Sequence, residues 1–377
     1  MDTKKYKCAF VTNIIEDKDI RLKVFYPRLG YLIPLFVWRH LFILRSLFGK
    51  GYSCVASYDV FGKVIGYTII IEITAKQCVS KRWIHLAKKL TLKACLYAQN
   101  ELHVDMIGLG SVTKSITSGG RFLKQNGVTI PVTHGDAYSV ASGIKGVEMM
   151  IECFKFVRPV ISVIGAYGKI GRAITLILTS MGYKVIAMAR DKSQLEKLRV
   201  ESGNSVEITS DSSYALNNSQ IAIMVTSAPY SVITEHLLQK GKIYYLYDMG
   251  QPHNLFENDY WRLIKKGYEI VRVDGGFETV DRQIDIDFWM RLKKGTMYAC
   301  FVEMILQALT GDMNDYVGIV KLDHVDVTRK RAIEWGFRHC PLTCYSKPLK
   351  LVVEIAANMH TLRSGKKFQL AKIASLL

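Results

Sequence analysis

The chain has 377 residues, is 49% hydrophobic, and carries 51 Lys and Arg against 33 Asp and Glu, a net charge of +18. That length and apolar content exclude a disordered chain or a single small module and predict two or three domains, each with its own core. The positive balance predicts long-range attraction to something acidic, but it is scattered in pairs such as Lys81-Arg82 and Lys88-Lys89, with no basic-aromatic recognition motif, so no nucleic-acid role is expected.

Residues 1 to about 50 are apolar and aromatic with basic punctuation and show no single period. Leu29 to Trp38 is the most membrane-like stretch, yet it is ten residues between Arg28 and Arg39, whereas a span needs about 20. Tyr31, Phe36, Trp38, Phe42 and Leu47 among basic residues allow peripheral contact with a membrane surface, with an ordinary core segment as the plainer reading. The opening Met1-Asp-Thr-Lys-Lys has no secretory pattern, and the eight cysteines show neither C-x-x-C nor a metal-ligand rhythm with histidine. These features predict a reduced, cytoplasmic chain without a metal site.

Tyr52 to Tyr58 and Lys63 to Ile73 alternate around Asp59-Val-Phe-Gly62 and predict a strand hairpin. Ile84 to Asn100 repeats its apolar residues at helical spacing and predicts an amphipathic helix. Two turns follow, Met106 to Ser115 and Val132-Thr-His-Gly-Asp-Ala-Tyr138, where the backbone is expected to approach a ligand. In the second, His134 is a candidate to orient a carbonyl or supply a proton. A helix from about Ala137 to Phe154 leads to a boundary near Val157-Arg-Pro159.

Val160 to Ile164 then reads as a buried strand, followed by Gly165-Ala166-Tyr167-Gly168-Lys169-Ile170-Gly171 and an apolar helical pattern. Gly165 permits the turn, Gly168 lets backbone approach a pyrophosphate, and Gly171 allows helix to pack on strand. The helix N-terminus supplies free N–H groups to the anion, so a dinucleotide is the expected ligand. The next strand, Lys184 to Ala189, ends in Arg190-Asp191, an arginine where a carboxylate would hold a ribose hydroxyl. This favours NADP over NAD, with Asp191 as the countervailing feature. Strands at Ile221 to Val225, Lys242 to Tyr247 and Glu269 to Val273 complete five in all, and Ser227 and Ala228 follow the third on the cofactor side. The fold class is α/β: a Rossmann domain with a doubly wound parallel sheet, an N-terminal α/β substrate region and a C-terminal helical segment. The corresponding divisions are residues 1–156, 157–284 and 285–377.

In the last segment Cys300 lies in the first or second turn of a helix over Thr296 to Leu309, where the positive helix end, with Lys293 and Lys294 upstream, favours a thiolate. Such a thiolate beside a reduced nicotinamide can take an acyl group from a thioester and present it to hydride. The plainer reading is a small buried hydrophobe.

Lys63-Val-Ile-Gly66, Leu109-Gly110 with Thr113, Ala137-Tyr138, Gly165 to Gly171, Ala189-Arg190, Ser227 with Pro229, Gly275-Gly276, Asp285-Ile-Asp287, Ala299-Cys300-Phe301 with Glu303, and Trp335-Gly-Phe337 occur together in this order. In this the chain resembles the long-chain acyl-[acyl carrier protein] reductases over roughly residues 50 to 340. The resemblance implies that Cys300 carries the acyl group, that the loop 165–171 holds NADPH, and that a fatty aldehyde is formed from an acyl group on acyl carrier protein or coenzyme A. Departures fall at Leu109-Gly-Ser-Val-Thr-Lys114, where the family has Leu-Gly-Gly-Phe-Thr-Ser, and at Thr133-His-Gly-Asp136, where it has Gly-Asn-Thr-His. Asp248-Met-Gly250 replaces Asp-Gly-Gly. Two other readings stay open: an NADP-dependent oxidoreductase of another carbonyl without covalent capture, and an NADP-binding protein whose chemistry is silenced.

Overall fold

The structure is a computed structural model and describes residues 5–15, 19, 34–281, 284, 292, 295–364 and 369–377. The chain forms two compact units, Met1–Ser139 with Glu278–Arg338, and Val140–Phe277 with His339–Leu377. The three consecutive divisions expected from sequence therefore give way to two interleaved ones. Residues 278–338 pack with the N-terminal unit because their central helix has apolar surface on both sides, and the tail from 339 packs with the nucleotide-type unit.

The first unit is built on a five-stranded sheet with order β2-β3-β1-β4-β5, where β1 is Tyr6–Ile14, β2 Tyr52–Val60, β3 Val64–Thr74, β4 Met106–Leu109 and β5 Val132–Thr133. The expected hairpin is present, β2 antiparallel to β3 with Val60 opposite Val64. The central strand β1, parallel to both β3 and β4, has no counterpart in the sequence reading. It is covered on both faces, so it is buried without a break from Cys8 to Ile14 instead of alternating.

The period of two still sorts its neighbours. Ala9, Val11, Ile69, Ile71, Ile107, Leu109 and Val132 turn to one core with Leu90, Ala94 and Ala98 of the helix Ile84–Asn100. Phe10 and Gly108 turn to the other face, where the helix Ala299–Leu309 lies across the sheet. The Phe10 and Phe301 rings meet edge on at 5.2 Å, and a Cβ at Gly108 would come within 2.7 Å of Met304 Cβ. This helix starts at Ala299, after a short strand Thr296–Tyr298, rather than at residue 296.

The second unit holds six parallel strands: β6 (Ile161–Ile164), β7 (Val185–Met188), β8 (Glu207–Thr209), β9 (Ile221–Met224), β10 (Ile243–Asp248) and β11 (Glu269–Asp274). Their order, β8-β7-β6-β9-β10-β11, is the doubly wound order 3-2-1-4-5-6, with the reversal between β6 and β9. The strand that five-strand counting missed is β8, three half-buried residues at the sheet edge.

At the carboxyl ends of β10 and β11, Asp248 and Asp274 are register partners and almost wholly buried. Two such carboxylates would repel unless neutralised. Arg272, fully buried, sits between them: Nη2 and Nε lie 3.0 and 3.2 Å from Asp248 Oδ2, and Nη1 pairs with Asp274. Asp248 also accepts N–H bonds from Gly250, Asn254 and Leu255, so the expected glycine-type turn after β10 is a structural clamp. Asp274 accepts bonds from the Thr343 hydroxyl and the Tyr345 and Ser346 N–H groups, and the Tyr345 ring lies 4.1 Å from the guanidinium. The tail is thereby fastened to the sheet.

Removing Arg272 leaves two buried carboxylates unpaired, and loss of one partner of a buried pair costs about 3–5 kcal/mol. Arg272→Met is therefore expected to lower the unfolding free energy of the second unit by about that amount, read by denaturant titration. Burial raises the Asp274 carboxyl, but Arg272, His253 and the Ser346 N–H outweigh it and hold it below the usual carboxylate range. Its contribution is present above the unfolded-state pKa and is lost as pH falls through the folded one, so the wild-type advantage should shrink in acid.

Candidate functional site

Cys300 is the second residue of the helix Ala299–Leu309, whose N-cap, Tyr298, makes no side-chain capping bond. The amide groups of the first turn therefore keep their partial positive charge for whatever lies at this end. The turn after β5 is pressed against it. Gly135 has φ +68°, and a Cβ there would fall 2.5 Å from Cys300 Cβ and 2.6 Å from its Cα. Only glycine fits, by backbone angle and by space.

Glu303, one turn further along the helix, ties the two segments together. Its Oε1 accepts the Thr133 hydroxyl at 2.6 Å and its Oε2 accepts the Tyr138 N–H at 2.6 Å. The alternation of β5 explains this, since Val132 points to the opposite core and Thr133 to the helix. Burial raises the Glu303 carboxyl, but His324, His134 and the Thr133 hydroxyl hold it below its usual range, so it is an anion. The Tyr138 hydroxyl in turn donates to Glu278 at 2.7 Å.

His134 is buried, with Nδ1 accepting the Asp136 N–H at 3.0 Å. An accepting Nδ1 carries no proton, which places the ring proton on Nε2. That Nε2 is buried and has no hydrogen-bond partner among the described residues. A buried, unspent N–H is costly in a folded chain and is suited to a substrate oxygen.

Asp136 pairs with Lys114 Nζ, and both side chains are largely buried. Burial pulls the Lys114 ammonium down, but Asp136, Cys300 and Glu303 raise it further, so it stays charged. Burial likewise pushes the Cys300 thiol above the ordinary cysteine range. Lys114 and the Phe301 N–H pull it down, while Asp136 and Glu303 push it up. The cation in the field of Cys300 is thus Lys114; Lys293 and Lys294, expected upstream, lie outside the described residues, as does Asp285-Ile-Asp287.

In the second unit the glycine loop closes as the sequence predicts. Gly165, at φ +96°, donates to Met188 O at 2.9 Å, and the helix Lys169–Ser180 starts at Gly168 without a side-chain cap. A Cβ at Gly171 would stand 2.3 Å from Gly165 O, so helix and turn are in the tightest contact backbone allows. The N–H groups of Ile170 and Gly171 have no partner among the described residues. Ala166 is buried, Tyr167 is exposed, and Lys169 begins the helix.

The segment after β9 lies against this turn, since a Cβ at Gly165 would meet Val225 O at 3.1 Å and Thr226 Cγ2 at 3.2 Å. Ser227 is exposed there, and Ala228 N–H bonds Thr226 Oγ1. Asp191, the feature that weighed against a 2′-phosphate, is spent: it caps the helix Lys192–Glu201 through the Ser193 and Gln194 N–H groups. Arg190 is exposed and makes no ion pair among the described residues. The loop 165–171, Arg190 and residues 227–228 therefore lie at the carboxyl ends of β6, β7 and β9, the switch point at which doubly wound sheets bind their ligands. An uncapped amide terminus suits a pyrophosphate and a free arginine suits a further phosphate.

The charges around Cys300 set a sign that alkylation can read. Lys114→Met is expected to move the pH profile of Cys300 alkylation by iodoacetamide upward, and Asp136→Asn to move it downward, with folding checked by circular dichroism. Equal shifts in both variants would contradict the arrangement.

No protein-family model and no curated protein matches the chain. Among solved structures it is similar to L-tryptophan dehydrogenase from Nostoc punctiforme, at 12% identity over 99% of this chain and 89% of that one, with a TM-score of 0.39. It is also similar to shikimate 5-dehydrogenase from Thermus thermophilus in complex with NADP(H) and shikimate, at 10% identity over 87% of this chain and 99% of that one, TM-score 0.35. A third is a dipicolinate synthase subunit from Bacillus halodurans, at 14% identity over 71% of this chain and 89% of that one, TM-score 0.32. These likenesses are distant, and the Rossmann assignment of the second unit rests on its own strand order.

Proposed function

We propose that this chain is an NADPH-dependent oxidoreductase that reduces a long-chain fatty acyl thioester to a fatty aldehyde through an acyl group held on Cys300. The observation that carries the reading is the placement of Cys300 at an uncapped helix N-terminus, under Gly135 and in the field of the Lys114–Asp136 pair. A cysteine that only filled a core would need none of these.

The helix amides and Lys114 stabilise the thiolate once the proton leaves. Attack on the thioester carbonyl forms the Cys300 Sγ–acyl bond and breaks the bond to the carrier sulfur, and the carrier leaves as a thiol with the displaced proton. The unspent Nε2–H of His134 donates to the carbonyl oxygen as negative charge gathers there. When bound, NADPH supplies a hydride. Release of the aldehyde then breaks the Sγ–carbon bond and returns Cys300 to its thiolate, with His134 and the helix amides holding the oxygen until it is a carbonyl again.

The loop 165–171, with Ser227 and Ala228, is the proposed pyrophosphate and nicotinamide-side cradle, and Arg190 the partner of the 2′-phosphate. Acyl carrier proteins are acidic, so the net +18 supports such a carrier, with coenzyme A as the small alternative. The departures at Lys114 and Asp136 fit the reading because they form one ion pair.

NADPH oxidation with palmitoyl-ACP and palmitoyl-CoA, with intact-protein mass spectrometry for the acyl adduct, tests this directly. Wild type is expected to show both thioester-dependent oxidation and the adduct, and Cys300→Ala neither. Turnover surviving in Cys300→Ala would establish carbonyl reduction without covalent capture. NADPH binding with no turnover of either thioester would overturn this reading in favour of a different substrate or a silenced site. Arg190→Ala is expected to weaken NADPH binding by roughly tenfold while leaving NADH unchanged, as loss of one charge-assisted phosphate contact requires.

A further inference from the structure

The helix Leu35–Leu47 has one face committed to the core and another that is exposed. Trp38, Phe42 and Ser46 are buried, and at about 100° per residue they lie on one side. Trp38 and Phe42 are thus core residues, contrary to the surface role open to them from sequence, and Tyr31 lies outside the described residues. The opposite side presents Phe36 (64% exposed), Leu44, Leu47 (61%) and, at the end, Phe48 (80%), with Leu41 beside them. Arg39 and Arg45 mark the two edges of this ridge. A helix packed on a globular core ordinarily gives its outer face to polar residues.

The chain segments around the ridge are strongly basic, and the acid that reaches its edge, Glu72, is paired with Arg45 at 2.9 Å. From Pro34 to Gly51 there is no Asp or Glu, and from Ala75 to Asn100 there is none either. These two stretches carry Arg39, Arg45 and Lys50, then Lys76, Lys81, Arg82, Lys88, Lys89 and Lys93. They meet: Lys93 Nζ lies 3.5 Å from Gly49 O, just past the end of the ridge. Lys76, Lys81, Arg82 and Lys89 are exposed and form no ion pair among the described residues.

We propose that this face of the first unit docks on an anionic lipid bilayer, with the ridge lying in the interface and the lysines over the headgroups. An acidic protein would answer the cations but leave a row of leucine and phenylalanine in water unless it brought a groove of its own. A bilayer answers both with one surface. The helix, 13 residues and about 20 Å long, is too short to span and suits a position in the membrane plane. None of the described helices is long and apolar enough to cross.

Flotation of the full chain with vesicles tests this without any substrate, so its outcome is independent of the reaction proposed above. Equimolar phosphatidylcholine and phosphatidylglycerol vesicles are expected to carry the protein, and phosphatidylcholine alone to carry at least about tenfold less, as a surface potential acting on several lysines requires. Leu44→Ser with Leu47→Ser should abolish flotation on both compositions. Lys89→Glu with Lys93→Glu should remove only the preference for the anionic one. Both variants are checked by thermal melting, and sedimentation velocity is run alongside. Absence of flotation by well-folded wild type overturns the proposal. So does a concentration-dependent dimer that Leu44→Ser with Leu47→Ser dissolves while vesicle binding is absent, which would make the ridge an interface between two copies.

Discussion

The buried carboxylate of Glu303 is the constraint on which the arrangement in the first unit depends. An anion at 1% exposure is tolerable only if its lone pairs are filled, and they are filled by Thr133 and Tyr138, on either side of the turn that holds His134, Gly135 and Asp136. The bonds therefore locate the whole turn against the helix end. Gly135 can then approach Cys300 to a distance no other residue permits, and Asp136 arrives where Lys114 meets it. One side chain on a helix thus relates five residues, His134, Gly135, Asp136, Cys300 and Lys114, that come from three separate stretches of chain.

The Lys114–Asp136 pair shows why buried charge here is better understood as tuning than as stability. Burying such a pair costs desolvation that its mutual attraction roughly repays, so hydrophobic residues of the same volume would hold the fold as well. What the pair adds is an opposed field at Cys300, the ammonium easing thiolate formation and the carboxylate resisting it. Burial first, and then the Asp136 carboxylate, keep Cys300 a thiol at rest, while the Lys114 ammonium eases departure of its proton.

Much of the second unit was legible because its signals are local. The strand before Gly165, the glycine spacing and the helix after it are fixed by neighbours in sequence, and backbone sterics at Gly165 and Gly171 demand those residues. Even there the short edge strand β8 escaped, since three half-buried residues carry too little pattern to register. The first unit was harder to read. Its central strand β1 is buried on both faces and so lacks alternation, and its helix Leu35–Leu47 is apolar on two faces, one buried and one exposed. Cys300 and His134 could each be singled out by residue type, but the residues that relate them, Thr133, Gly135 and Glu303, act through contacts spanning some 170 positions.

The two departures from the acyl-reductase pattern make the same point about scale. Read along the chain, Lys114 and Asp136 are separate losses in separate turns, each suggesting a damaged site. In the fold they are one interaction, and neither is tolerable without the other: an unpaired lysine or aspartate at this burial would cost more than most single substitutions do. Asp191 runs the other way. Beside Arg190 it looks like a competitor for the ribose, yet its carboxylate is consumed by the Ser193 and Gln194 N–H groups, a bond its position before a helix already favours. Whether a charged residue acts on a ligand or on its own backbone is decided by which unsatisfied donors lie within reach. For Asp191 they lie two and three residues ahead, where the sequence can show them, and for Asp136 the partner stands 22 residues behind, where only the fold can.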